Sequence, residues 1–490
     1  MNKVERIVFL SLVLDLVAFT IPLPLFPRII EWYTQRESSD PHGFLSRTLS
    51  TVSAIRGRLY HPSHNSQRWD IVLLGGLMGS VFSTLQFLVS PYIGTLSDRY
   101  GRKKILLITM IGNMLSALVW IKSTTFASYM LSRVIGGLSE GNVQLAIAIL
   151  SDITTPANRA KALAHVGIAF GICFCVGPPI GAYFASRPVA LGQTLLLGTE
   201  VNIYAAPAIL TLVLLVVETA FLAVALPETR GRARLCVVQS PDTDTNTDES
   251  GDGHSAADDH GQGQQRWNED QRVKTLKSLR VLHFLFLGVF SGVEFTLTFL
   301  TFDLFDWSNA QNGKLIGGIG IVSAALQGGY VRRALTRVGE LRIASRGATA
   351  CAIGLALLAL VPRFALTRPT LAFRLLQGAA ICMAFTSATV VNALTAHASL
   401  QCDEMPEAVA TEGGDGKSRG TIERPELAKG HALGRFRSSG QLGRAIGPLL
   451  ACASYWTFGP SVTYTISAVA MTGLSVRMRR VARRENLKTA

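Results

Sequence analysis

The stretch GTLSDRYGRKK, residues 94–104, decides the fold of this chain of 490 residues. It joins two mostly apolar blocks and holds one carboxylate among four cations, with glycines at two of its positions. Glycine permits a tight backbone path because it has no Cβ, and a carboxylate at such a turn can bind a helix N-terminus or an arginine. The stretch therefore predicts a conformational latch between helix ends. The predicted members of the latch are Gly94, Asp98, Arg99, Gly101, Arg102, Lys103 and, after a later apolar block, Asp152.

Apolar blocks of this kind recur along the whole chain. Hydrophobic residues make up 48% of it and charged residues only 16%, whereas about a quarter of a soluble domain is charged. A helix needs about 20 mostly apolar residues to cross a bilayer, and it satisfies its own backbone polar groups there. A soluble enzyme, a disordered protein and a collagen-like fibre are thereby excluded. Twelve spanning helices are predicted, over residues 7–29, 70–94, 104–121, 127–151, 161–185, 202–226, 279–303, 313–331, 345–361, 370–397, 431–455 and 459–476.

The distribution of Lys and Arg predicts the orientation of these spans. Most of the 47 Lys and Arg residues fall in loops on one side, which marks that side as cytoplasmic. Both termini are then expected in the cytoplasm, with the chain in a plasma or an organelle membrane. The net charge of +14 does not indicate a nucleic-acid partner, because the cations are not gathered on one soluble module. The loop 30–69 is basic although it is predicted to face outward, and transport does not explain its charge.

Short motifs recur in the same order in the two parts of the chain. RVIGG at residues 133–137 returns as RLLQG at 374–378, and Gly177-Pro178 returns as Gly447-Pro448. Such ordered recurrence predicts two six-helix halves around a midplane cavity. The stretch between the halves is rich in Asp, Ser, Thr and Gly, and we expect disorder there because it cannot bury a core. The predicted division is a half at 1–226, a cytoplasmic linker at 227–278, and a half at 279–490 that ends in a basic cytoplasmic tail.

The loop at 94–104 resembles the signature loop of the major facilitator superfamily, and every key position of that signature is filled. Arg133 and the residues after it look like the intramembrane arginine motif of the same family. Asp15 in the first span and PET at residues 227–229 are similar to the twelve-span drug:proton antiporter branch. The glycines and prolines of the fifth span, with their repeat in the eleventh, resemble the antiporter signature. The residues of that signature are Gly171, Gly177, Pro178, Gly181, Gly447 and Pro448.

Together these motifs look most like tetracycline/proton antiporters and the eukaryotic tetracycline transporter-like proteins, which are described as organic anion transporters. The resemblance implies an all-α integral membrane protein with the major facilitator fold, twelve transmembrane helices in two pseudo-symmetric six-helix bundles. It also implies a monomer in the lipid bilayer, without a cofactor or a metal. The resemblance covers nearly all of the spans, but neither the loop 30–69 nor the linker.

The few charges inside the spans are the candidates for energy coupling, because ionisable groups in a membrane are costly and usually functional. A carboxyl group shielded from water binds a proton more readily than one in water. Asp15 and Glu140 are the predicted proton-coupling residues. Arg133 is expected to tune Glu140, which lies seven residues further along the same helical face. Glu294 in the seventh span comes next, and Arg374 is a candidate for binding an anion.

The sequence predicts a secondary transporter that moves small organic molecules by alternating access, with proton-coupled antiport as the favoured form. The expected substrate is an amphipathic drug-like compound or an organic anion, and the expected coupling ion is a proton. One alternative is an organic anion exchanger or facilitator on the same fold, in which Arg133 and Arg374 bind the anion. A second is a receptor or scaffold that does not transport. A membrane enzyme has no support from catalytic or phosphate-binding motifs.

Overall fold

The structure is a computed structural model, and it describes residues 2–22, 25–37, 40, 42–59, 66–185, 194–196, 199–200, 202–229, 257–307, 309–402 and 425–489. Helices make up nearly all of these residues. The first half contains α1 (Lys3–Thr20), α2 (Phe26–Arg36), α3 (Phe44–Leu59), α4 (Ser66–Tyr100), α5 (Arg102–Ile121), α6 (Phe126–Ser139), α7 (Asn142–Ile153), α8 (Pro156–Ala185) and α9 (Ala205–Ala225). Two short antiparallel strands, β1 (Thr194–Leu196) and β2 (Thr199–Glu200), precede α9.

The second half repeats the helical pattern of the first. Its helices are α10 (Ala257–Phe305), α11 (Asn309–Leu326), α12 (Arg332–Val338), α13 (Glu340–Ala365), α14 (Pro369–Leu400), α15 (Lys429–Phe458) and α16 (Pro460–Thr489). A π-helical turn, Gln327–Val331, joins α11 to α12.

Each of the twelve predicted spans overlaps a helix or a pair of consecutive helices. Within the described ranges, nine helical segments are long and apolar enough to cross a membrane. The helices α1, α15 and α16 do not reach that threshold. In α15 the reason is its polar N-terminal part, which includes Arg435, Arg437 and Arg444.

The first span ends earlier than predicted, and the loop after it is largely helical. The helix α1 stops at Thr20, not at residue 29, because a proline removes a backbone donor and clashes with the preceding turn, and Pro22 and Pro27 follow closely. The helices α2 and α3 occupy most of the predicted loop 30–69. These two helices were not predicted because they are too short and too polar to resemble spans.

The predicted linker is shorter than expected on its C-terminal side. Residues 230–256 lie outside the described residues, whereas α10 already begins at Ala257, inside the range 227–278. Val273 and Leu276 are buried, and the Arg272 guanidinium donates to the carbonyl of Gln401 at 2.8 Å. Contacts with the rest of the chain therefore stabilise a helical turn that composition alone assigned to the linker.

The fourth span is divided into two helices at Glu140 and Gly141. The backbone of Glu140 has left the helix, with φ −72° and ψ 94°, and α7 starts one residue after Gly141. The expectation that Glu140 continues the helical face of Arg133 is therefore corrected. A Cβ on Gly141 would stand within 2.9 Å of the Ile93 side chain, so close packing against α4 accompanies the break.

In each half, two helices pack closely on each other through a glycine, and the two helix pairs are equivalent. In the first half a Cβ on Gly177 of α8 would overlap Thr20 of α1, and in the second a Cβ on Gly447 of α15 would overlap the carbonyl of Gly288 in α10. The halves themselves meet mainly where α4 packs on α15 and α8 on α11. Small residues allow such close helix approach in a membrane, and the interface between the halves contains the site.

Candidate functional site

A central cavity of about 200 Å³ lies between the two halves. Residues of α1, α7 and α8 line it from the first half, and residues of α10, α11, α14 and α15 line it from the second. Much of the wall is aromatic, which suits an apolar or amphipathic ligand. The aromatic residues of the wall are Phe19, Phe170, Phe174, Phe286, Phe290 and Phe436.

The charges of the central cavity are distributed unequally between its walls. The second half contributes Arg437 and Arg444 from α15 and Glu294 from α10, and the first half contributes Glu140. Arg437 and Arg444 are seven residues apart, so they project from the same side of α15. Glu140 and Asp15 act electrostatically on Arg437, so this cation is linked to the carboxylates of the opposite half.

A second cavity of about 60 Å³ lies inside the first half. We call it the N-half cavity; Asp15, Arg133 and Glu140 line it, and Glu140 lines the central cavity as well. The Asn142 side chain donates to Asp15 Oδ1 at 2.7 Å. The structure therefore brings together three of the charged residues that the sequence singled out, and Glu140 connects the two cavities.

Arg133 has an aromatic environment. Its guanidinium carbon lies 5.6 Å from the centre of the Trp120 ring and 5.5 Å from that of the Tyr129 ring. Attraction between a cation and a ring face compensates part of the cost of burying the charge. The sequence predicted a carboxylate, Glu140, as the neighbour that Arg133 tunes, and the structure adds the two rings that hold the arginine.

A third acidic residue, Glu218 of α9, is buried in the first half near the predicted pair. The Ser11 hydroxyl donates to Glu218 Oε1 at 2.7 Å, and Glu218 is only 1% exposed. An acid within an apolar helix was visible in the sequence, but the spacing gave no sign that α9 packs on α1 at this level.

The predicted latch closes one end of the bundle. We call this end the basic face. Asp98 accepts hydrogen bonds from the backbone N–H groups of Gly430, at 2.9 Å, and His431, at 2.7 Å, at the start of α15. Arg102 reaches Asp98 Oδ1 at 2.7 Å and Asp152 Oδ2 at 2.9 Å. One carboxylate thus binds both a helix N-terminus of the other half and an arginine of its own half, as the sequence predicted.

Close backbone approach and a second acidic cap complete the latch. A Cβ on Gly94 would overlap the carbonyl of Gly430. Gly101 has φ +103°, a conformation that glycine adopts without strain. Beside it, Glu228 accepts the N–H groups of Arg102, at 2.9 Å, and Lys103, at 3.2 Å, and so caps α5.

The two remaining cations of the predicted latch interact within their own half. Lys103 Nζ donates to the carbonyl of Ala223 at 2.7 Å, which joins α5 to α9. The guanidinium of Arg99 lies over the ring of Tyr100, with its carbon 5.4 Å from the ring centre. These two residues therefore support the loop, whereas Asp98 bridges the halves.

Two further cations cross between the halves on the basic face. Arg159 of α8 donates to the carbonyl of Ser399, at the end of α14, at 3.4 Å. Lys429 of α15 donates to the carbonyl of Ser151, near the end of α7, at 3.5 Å. Cations are stabilised at helix C-termini, where carbonyl groups point outward. Each half thus presents a cation to a helix end of the other half.

The residues of the antiporter signature contribute to packing. A Cβ on Gly171 would overlap Ala324 of α11, across the interface between the halves. Pro178 and Pro448 lie inside α8 and α15, and Gly181 is buried in α8. Gly171 lines the central cavity, so this signature borders the site without adding a charge to it.

Two arginines of the second half were not placed correctly from the sequence: one was predicted at the site and lies outside it, and the other was missed. Arg374, predicted to bind an anion, is exposed near the start of α14 and is absent from the described walls of both cavities. Arg437 was missed because it stands among the cations of the preceding loop and the start of α15. The spacing of seven residues between Arg437 and Arg444 was the signal that two cations share a helical side.

A bundle of apolar helices in two similar halves, a cavity between them and a latch on one face together describe a transporter fold. Comparison with known proteins agrees, because the family model described as Major Facilitator Superfamily matches residues 8–410. The chain belongs to the major facilitator superfamily. Members of the superfamily are membrane transporters and not enzymes, so the predicted family, the all-helical fold and the multi-pass membrane location are confirmed.

The names of several similar proteins agree with the resemblance that the motifs suggested. Major facilitator superfamily domain-containing protein 10 of Mus musculus is 32% identical over 473 residues, which cover 95% of this chain and 90% of the relative. The tetracycline resistance protein, class H, of Pasteurella multocida is 26% identical over 37% of each chain. A crystal structure of the human organic anion transporter MFSD10 (TETRAN) superposes with a TM-score of 0.72 at 28% identity, covering 97% of this chain and 99% of that one.

Proposed function

We propose that this superfamily member carries organic anions across its membrane by alternating access, coupled to protons. The observation that carries the proposal is the pair Arg437 and Arg444 on one side of α15, facing an aromatic cavity between the halves. Guanidinium groups bind carboxylates in a bidentate geometry, and rings accommodate the apolar body of the ligand. The similarity to a protein named an organic anion transporter supports the same substrate class.

Proton coupling is supported by the acidic residues next to these cations. Asp15 and Glu140 are buried, and Glu140 lines the central cavity. A proton taken up by Glu140 removes a negative charge near Arg437 and so changes how strongly that cation holds an anion. Substrate and proton are then linked through one electrostatic contact between the halves.

The direction of the proton distinguishes two forms of this function. The glycine pattern of α8 resembles the antiporter branch and favours exchange of substrate for a proton, which is the form we propose. Cotransport is the second candidate, and the electrostatic link between Arg437 and the two carboxylates favours it. A carboxylate that has bound a proton no longer competes with an anion for the cation, so the two ligands bind together.

The test uses the purified full-length chain in liposomes with a trapped pH-sensitive dye. Radiolabelled p-aminohippurate is the anionic probe, and tetraethylammonium is the cationic control. We expect p-aminohippurate uptake well above that of empty liposomes and a simultaneous change of internal pH, whose sign separates antiport from cotransport. Uptake no greater than in empty liposomes would overturn anion transport.

Paired variants test the coupling separately. The combination Asp15→Asn with Glu140→Gln keeps the size of both side chains and removes their charge. We expect uptake that no longer responds to a pH gradient. If the response to the gradient is unchanged in this double variant, proton coupling through these carboxylates is refuted, and facilitated anion transport is the function that survives.

A further inference from the structure

The N-half cavity has an unusual wall. Four polar side-chain atoms of its lining residues are buried and have no hydrogen-bond partner among the described residues. They belong to four different helices: α1, α5, α6 and α9. The four atoms are Asp15 Oδ2, Trp120 Nε1, Arg133 Nε and Thr211 Oγ1.

These side chains are well shielded by protein. Trp120 is 0% exposed, Asp15 is 3% exposed and Thr211 is 8% exposed. Buried polar groups in folded proteins are almost always hydrogen-bonded, to protein or to ordered water. Several unpartnered donors and acceptors around one cavity are the arrangement in which buried water is found. The space of about 60 Å³ that the centres of water molecules can occupy in this cavity exceeds the roughly 10–15 Å³ that one water molecule needs by the same measure, so a few water molecules fit.

The lining residues of the N-half cavity show how it is oriented within the bundle. It begins at Glu140, in the middle of the fourth span, and reaches Pro22 and Trp120. These two residues lie at the ends of α1 and α5 that are remote from the basic face, because α5 starts in the latch at Arg102 and ends at Ile121. The cavity thus extends from Glu140 toward the face opposite to the latch, and all of its described lining residues belong to the first half.

We propose that the N-half cavity holds a chain of water molecules that conducts protons between the face opposite to the latch and Glu140, separately from the substrate. This inference rests on the proton coupling proposed above. Each step transfers a proton along a hydrogen bond from one water molecule to the next, and finally to a carboxylate oxygen of Glu140 or Asp15. Substrate uses the central cavity, so Glu140 is where the two routes meet.

The charged groups around the route are consistent with this role. Asp15 of α1 and Arg133 of α6 line it, Glu218 of α9 is electrostatically linked to Asp15 and Glu140, and Arg437 of α15 faces Glu140 from the central cavity. The described lining residues of α4 and α5 carry no charge. The Arg133 cation opposes any positive charge on the route, and the acidic residues Asp15, Glu140 and Glu218 offset this repulsion.

Filling the N-half cavity tests the proposal. Ala117 lines this cavity but not the described wall of the central cavity, so Ala117→Met reduces the space for water without touching the substrate route. In liposomes we expect Ala117→Met to lose accumulation of p-aminohippurate driven by a pH gradient. Exchange of labelled for unlabelled p-aminohippurate at equal pH, which needs no net proton movement, is expected to persist. Ala117→Ser, which keeps the space, is expected to restore gradient-driven accumulation.

The outcomes separate this inference from the function on which it rests. Gradient-driven accumulation that persists in Ala117→Met overturns the water route while proton-coupled transport stands. Absence of coupling in the unmodified chain overturns the proposed function instead.

A second measurement does not depend on transport: a cysteine at Ala18, which lines the cavity, should react with a small hydrophilic thiol reagent much faster than one at Ala208. Equal rates, after subtraction of the native cysteines, would also refute a hydrated cavity.

Discussion

The side-chain oxygens of Ser151 and Ser399 lie 2.7 Å apart. Ser151 is near the end of α7 in the first half, and Ser399 is near the end of α14 in the second. Arg159 and Lys429 stand on either side of this contact, and each donates to the backbone carbonyl of the serine in the opposite half. The closed basic face is therefore held by reciprocal contacts around an approximate two-fold axis.

Removing the positive charge of Arg159 should open this face. Arg159 is 2% exposed and also donates to the carbonyls of Ser151 and Thr154, each at 2.9 Å. Hydrogen bonds from a charged donor contribute about 1.5–3 kcal/mol. We expect Arg159→Gln to shift the conformational equilibrium toward the state that is open at the basic face, by roughly tenfold for each 1.4 kcal/mol lost.

Spin labels on exposed residues of the two halves measure the shift. Cysteines at Lys104 of α5 and Arg342 of α13, in a background without other reactive cysteines, report the distance between the halves on the basic face. Lys161→Gln is the control, because Lys161 is exposed on the same helix as Arg159. A distance distribution in Arg159→Gln that matches the control would contradict this role of Arg159.

A methyl group at Gly94 should prevent the latch from closing. Its Cβ would stand 2.8 Å from the carbonyl carbon of Gly430, nearer than atoms of a close-packed interior approach. We expect Gly94→Ala to fold and to populate mainly the open state, with a strong loss of transport. Gly79→Ala on the same helix has no heavy atom within 4 Å of its Cβ and should behave like the unmodified chain. Equal transport by the two variants would refute a tight approach at the latch.

Substitution of Arg437 should weaken substrate binding selectively. If this guanidinium binds the carboxylate of an organic anion, Arg437→Gln weakens the binding free energy by about 1.5–3 kcal/mol. KM should then rise roughly 10- to 100-fold. The exposed Arg374, outside the described cavity walls, provides the matched control. KM for p-aminohippurate measured in liposomes decides between the positions, and a larger effect at Arg374 would show that the central cavity is not the anion site.

A buried polar network at the end opposite to the basic face should contribute to stability. The Asn202 amide donates to Tyr33 Oη at 2.7 Å and to the carbonyl of Ser123 at 2.6 Å, and its oxygen accepts from the N–H of Tyr204 at 2.8 Å. Asn202→Ala removes these three hydrogen bonds, each of which contributes about 0.5–1.5 kcal/mol. Tm in detergent should fall relative to Asn158→Ala, whose side chain is exposed. An equal Tm would show that the network is not needed.

Much of the fold was predictable from the sequence because membrane spans and loop signatures are local patterns. The latch followed from the types and spacing of residues 94–104, and the structure places Asp98 against a helix N-terminus as expected. Arg102 and Asp152 were both named for the latch from the sequence, and they form an ion pair at 2.9 Å.

The site itself was less predictable because it depends on which helices become neighbours. The roles of Asn142 beside Asp15 and of Trp120 beneath Arg133 arise from contacts between helices, which no local pattern records. The break at Glu140 was equally hidden, since Glu140 and Gly141 stand in a block that is apolar enough to read as one helix.

That break determines how far the carboxylate of Glu140 travels. When two rods joined end to end change the angle between them, points near the joint are displaced least and points at the far ends most. Glu140 stands at the joint of α6 and α7, whereas Ser151 lies near the far end of α7. A swing that separated Ser151 from Ser399 would therefore leave Glu140 close to Asp15 and Arg133, so these three residues would keep their arrangement while the basic face opened.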